Sequence, residues 1–145
     1  MEHKALAVEL FNKTWDYLDR TDRNQQDDLV MVNMAHTSLY HWSQVGTLEN
    51  MAIGYWQISR VYAVLGWAES ALSFAFASKK VCQDNHFDGF NLAYAYEAIA
   101  RGYSISKHYV KAREYVELGF TESEKVTIMD DRALLVSDLK TIILD

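Results

Sequence analysis

The sequence contains no proline, one cysteine and six glycines among its 145 residues. Without proline, and with so little glycine, a turn-rich all-β fold is disfavoured and long helices joined by short links are favoured. The single cysteine, Cys82, excludes an internal disulfide and fits a reducing compartment. Positive charge is also scarce. Fourteen Lys and Arg against twenty Asp and Glu leave a formal net charge of −6 and a pI near 5.3. A chain of that sign is repelled by phosphate backbones, so nucleic acid is not an expected partner. No uncharged apolar run of about eighteen residues occurs. The longest candidate, 61–78, is interrupted by Glu69, and the opening MEHKALAVEL carries charges at 2, 4 and 9, unlike a signal peptide. Neither a membrane segment nor a secretory signal is therefore expected, and a cytoplasmic location is the reading.

What is abundant is apolar. Half of the residues are hydrophobic and 13% are aromatic, which excludes a disordered chain and supports a real core in one domain spanning 1–145. Hydrophobic periodicity and capping residues predict about seven helices, over 3–19, 26–44, 48–65, 68–84, 89–106, 109–123 and 130–144. Gly46 and Gly66 are expected to end the second and third helices in the left-handed conformation. Thr47 and Asp88 are the expected caps of the third and fifth.

The segments YWQISRVYAVLGWAESAL and YEAIARGYSISKHYVKAR, beginning at Tyr55 and Tyr96, share a pattern. Tyr55, Ile58, Ser59, Tyr62 and Ala71 recur 41 positions later as Tyr96, Ile99, Ala100, Tyr103 and Ala112. The types suit a helical hairpin. Small residues allow the two helices to approach closely, and the second Tyr fills the space between them with a hydroxyl left for a polar partner. Stacked hairpins bury what one hairpin cannot.

This pattern resembles the tetratricopeptide repeat, in which an aromatic, a large aliphatic, a small residue, a Tyr and a later Ala follow one another. Gly66 and Glu69 sit where that family favours a turn Gly and an acidic residue, and Gly119 adds a small residue to the second copy. The spacing of 41 exceeds the family's 34, Lys107 replaces the turn Gly, and the closing Pro is missing. The resemblance covers 51–124 as two hairpins, leaving 1–50 as an N-terminal helical pair and 125–145 as a C-terminal helix. It implies an all-α stack of antiparallel hairpins in a right-handed superhelix. It also implies a non-catalytic scaffold that binds peptide or protein in a groove lined by the first helix of each hairpin. AHTSLYHWSQVG and WQISRVYAVLG further resemble a group of short bacterial proteins, which adds no mechanism.

On the third helix Trp56 and Arg60 lie off the hairpin-packing face, and on the fifth Glu97 and Arg101 do so at the same offset. With Tyr94 these residues form the candidate groove. Two guanidinium groups beside an aromatic wall suit a peptide carboxylate or acidic segment. The plainer alternative makes Trp56 with Arg60 a cation–π pair and Glu97 with Arg101 an ion pair along the helix.

His36, Tyr40 and His41 form a second polar cluster. Five residues separate the histidines, about 140° around a helix, so they do not match the zinc-binding spacing and no metal is predicted. His36 and Tyr40 share a face and are placed to hydrogen-bond. An enzyme or small-molecule site built from His36, Tyr40, Trp56 and Arg60 is the alternative function. Cys82 reads as a small core residue, and His86 and His108 as solvated. No phosphate loop or catalytic motif occurs in its required context, so no cofactor is implied. The last helix is apolar around much of its circumference. Leu135, Leu139 and Ile142 can pack inward, and Val136 and Ile143 remain for a possible homodimer.

Overall fold

Reciprocal side-chain caps fix where two of the helices begin. The computed structural model describes residues 2–145. Among them are seven helices and no strand: α1 (His3–Leu18), α2 (Gln25–Val45), α3 (Leu48–Val64), α4 (Ala68–Asp84), α5 (Phe90–Ile105), α6 (Tyr109–Ser123) and α7 (Met129–Lys140). Asn24 accepts from the Asp27 amide at 2.8 Å while the Asp27 carboxylate accepts from the Asn24 amide at 3.1 Å. Thr47 and Asn50 repeat the arrangement at the start of α3. Each such box satisfies two of the amides that a helix start leaves unpaired.

The helices pair in sequence as α1 with α2, α3 with α4 and α5 with α6, and α7 rests on α5 and α6. The first helices form a continuous inner layer, with α1 touching α3, α3 touching α5 and α5 touching α7. Helices α2, α4 and α6 lie outside that layer, where side chains link α2 to α4 (His36 with Phe74) and α4 to α6 (Phe76 with Tyr115).

Both copies of the sequence pattern close their hairpins alike. Ile58, Ile99, Ser59, Ala100, Ala71 and Ala112 are all buried. Burying one Ile side chain contributes about 1.5–3 kcal/mol. The Ser59 hydroxyl donates to the Ala71 carbonyl at 2.7 Å, so a polar atom tightens the α3–α4 contact without being left unsatisfied. Tyr62 stacks on Phe74 at 5.7 Å between ring centroids, and Tyr103 stacks on Tyr115 at 5.9 Å. Trp67 and His108, again 41 apart, lie against the same two tyrosines. The turns match as well. Gly66 has φ of 79° and Lys107 has φ of 64°, so the backbone geometry is kept where the residue type changed. That conformation is free for Gly and costs an L side chain about 1–2 kcal/mol. Gly119 lets α7 approach α6, since a Cβ there would meet Leu139 Cδ2 at 2.9 Å.

Three local expectations are corrected. Gly46 ends α2 in an extended conformation, φ −83° and ψ 176°, not a left-handed one. Asp88 does not cap α5; that position is Gly89, with φ of 66° and no side-chain cap, and Asp88 lies 3.8 Å from Lys125. Helix α7 stops at Lys140 instead of 144. Beyond it the chain is held by side chains: Ser104 donates to the Ile143 carbonyl and Arg113 to the Leu144 carbonyl. Ile142 is buried as expected, but it and Ile143 are not helical. Val136 is half-buried and Ile143 is exposed.

Candidate functional site

A cleft of about 510 Å³ opens along the inner layer. Helix α1 and its C-cap contribute Trp15 and Asp19, α3 contributes Ala52, Ile53, Trp56 and Arg60, α4 contributes Ser78, α5 contributes Phe90, Asn91 and Tyr94, and α7 contributes Leu134 and Asp138. Its walls are mainly apolar, with four aromatic rings among them. Trp56 lies 5.5 Å from Trp15 and 5.2 Å from Tyr94, and Tyr94 lies 5.0 Å from Phe90, the last two contacts edge-to-face. Such contacts set the rings against one another in a fixed geometry.

Beside the cleft lies a charged centre. Glu97 is fully buried. Its Oε2 accepts from Trp56 Nε1 at 2.9 Å, and its Oε1 accepts from Arg60 Nη2 at 2.8 Å and Arg101 Nε at 2.9 Å. Burial pushes this carboxyl's pKa up, but Arg60, Arg101 and the Trp56 hydrogen bond together outweigh it and hold the group below the ordinary carboxylate value. Arg101 continues to α7, donating to the Asp138 carbonyl at 3.1 Å and the Thr141 hydroxyl at 2.9 Å. The Tyr94 hydroxyl donates to Asp138 at 2.8 Å, and burial followed by that bond raises its pKa. One carboxylate thus ties α3 to α5, and one arginine ties α5 to α7.

The structure therefore brings together all five groove residues named from the sequence: Trp56, Arg60, Tyr94, Glu97 and Arg101. Glu97, however, lies beneath the surface instead of on it, because both guanidinium groups close over it. The arginine pair expected to receive an incoming carboxylate already holds an internal one. Both contacts of the plainer alternative are also present, with Arg60 above the Trp56 ring at 5.5 Å and Arg101 paired to Glu97.

The second cluster divides. His36 Nε2 bonds to the Tyr62 hydroxyl at 2.7 Å, not to Tyr40, and packs edge-on against Phe74. Burial lowers its pKa. Tyr40 is 58% exposed, and His41 Nδ1 lies 2.8 Å from His3 Nδ1. Because Tyr62 and Arg60 are two residues apart on α3, they leave the helix about 200° apart. His36 follows Tyr62 away from the cleft, so His36, Tyr40, Trp56 and Arg60 do not converge. Among the described residues no group of three or more His, Cys, Asp or Glu is placed to hold a metal ion. Among the described residues no helix is long and apolar enough to cross a membrane.

Sequence reasoning missed Trp15, Asp19, Phe90, Leu134 and Asp138. A signal for two of them was present, since Trp15, Trp56, Glu97 and Asp138 are each 41 residues apart. The period that marks two hairpins runs through all four inner helices. Compared with known proteins, the chain matches no family model, no curated protein and no solved structure.

Proposed function

We propose that this protein is a non-catalytic, tetratricopeptide-like scaffold whose hairpins follow a right-handed superhelix and whose cleft binds a short extended segment of a protein or peptide partner. The observation that carries this reading is the cleft itself. It is a hollow of about 510 Å³ with four aromatic rings in its lining, drawing residues chiefly from α1, α3, α5 and α7, within the size range of ligand sites. Of its few polar groups, Trp56 Nε1 and Arg60 are held in place by Glu97 and Asp138 by Tyr94, as suits a site that binds without remodelling. The enzyme alternative has less support because its four residues do not share a pocket. Self-association through the C-terminal end is proposed as well, on the exposed Ile128, Met129, Leu134 and Ile143.

Selection of a displayed random-peptide library on the purified chain tests the binding reading. Asn91→Trp and Leu134→Trp fill the cleft from half-exposed or exposed positions. Selected peptides are expected to bind the wild-type chain and to lose at least tenfold in affinity with either variant. Failure to enrich any sequence, or equal binding to the filled clefts, overturns the reading.

A further inference from the structure

We infer that the segment taken by the cleft is basic, with an Arg or Lys side chain set between apolar neighbours; the inference rests on the binding reading above. Counting Arg60, Arg101, Glu97, Asp138 and Asp19, the site holds two cations and three carboxylates, a net of −1. Both cations are engaged on Glu97, so neither is left wholly for an incoming anion. The Asp19 carboxylate lines the cleft, exposed and without a partner among the described residues. Asp138 gives one oxygen to Tyr94 and keeps the other.

The lips extend the same sign. On α1, Asp16 lies one turn before Asp19, and on α7, Asp131 lies one turn before Leu134, on the face that carries Asp138. Neither makes an ion pair among the described residues, whereas Lys13 and Arg20, the nearest cations along α1 and its exit, pair with Glu9, Asp22 and Asp27. An acidic mouth over aromatic walls suits a cation. A guanidinium stacks on ring faces and donates two parallel hydrogen bonds to a carboxylate, and a protein of net charge −6 attracts it from a distance. A carboxylate-bearing segment would instead meet the Asp19 and Asp138 carboxylates and compete with Glu97 for the same donors.

The test is calorimetric titration with three end-capped heptapeptides of Ala and Leu that differ only at the centre: Arg, its neutral isostere citrulline, or Glu. The Arg peptide is expected to bind at least tenfold tighter than the other two. Asp19→Asn combined with Asp16→Asn, both at exposed positions, is expected to erase most of that preference without loss of helix content. Equal or tighter binding of the citrulline or Glu peptide overturns the inference, as does an unchanged preference in the double variant. If none of the three binds while library selection still enriches other peptides, the inference fails and the binding reading stands. If selection fails too, the binding reading falls with it.

Discussion

Replacing Glu97 by Gln removes one charge and almost no volume, so its effect on stability is one of charge and hydrogen bonding alone. Glu97 is fully buried, and the Arg60 and Arg101 side chains around it are 17% and 18% exposed. Three donors converge on its two oxygens. A Gln amide has one oxygen and one NH₂ group, so in either orientation a donor is aimed at a donor. Two guanidinium groups are left without their counter-charge, and breaking a buried pair from one side costs about 3–5 kcal/mol. A domain of this size has a total stability of about 5–15 kcal/mol, so the loss is large enough to read by urea unfolding, with the midpoint lowered and the slope unchanged. The triple change Glu97→Met, Arg60→Met and Arg101→Met removes the whole charged centre and is expected to cost less than Glu97→Gln alone. A Glu97→Gln protein within about 1 kcal/mol of the original would refute the view that this carboxylate holds the inner helices together.

The two matched turns respond in opposite directions. Lys107→Gly relieves a left-handed side chain and raises stability by about 1 kcal/mol, while Gly66→Ala introduces one and lowers it similarly, both measured by urea midpoint. Burial pushes the Cys82 thiol up to about 11, so a disulfide reagent at pH 8 labels it only after unfolding; rapid labelling of the native chain contradicts its core position. His36 has a folded pKa below its ordinary 6.5, so the unfolded chain takes up that proton first. Stability is present above 6.5, falls as pH drops toward the lowered folded value, and loses that slope in His36→Gln. Glu97 acts at lower pH, its depressed pKa giving stability above the ordinary 4.5 that disappears as pH falls through the folded value. Sedimentation at high micromolar concentration is expected to show a dimer that Met129→Asp with Ile143→Asp returns to monomer.

Helix number and order were legible because apolar periodicity and capping residues act locally. Thr47 and Gly66 do what their types suggest. Asp88 and the end of α7 were misjudged because tertiary contacts decided them. The last residues are held by Ser104 and Arg113 from other helices, which no local pattern reveals. The candidate groove was legible as a set but not as a geometry. Spacing placed Trp56, Arg60, Glu97 and Arg101 on the inner layer. It could not show that a carboxylate flanked by two arginines on adjoining helices would sink beneath them. His36 illustrates the same limit, since its face on α2 was right but its partner came from α3.

The Trp15, Trp56, Glu97 and Asp138 series also gives the assembly a direction of growth. Trp already lies against Trp between α1 and α3, so tandem duplication of the α3–α4 hairpin would set a ring beside a ring, a neighbour this position already accommodates. Duplication of α5–α6 would instead set one buried carboxylate beside another and leave no indole to donate between them. Lengthening by whole units is compatible with the interior chemistry on the N-terminal side of α5 and opposed on the other.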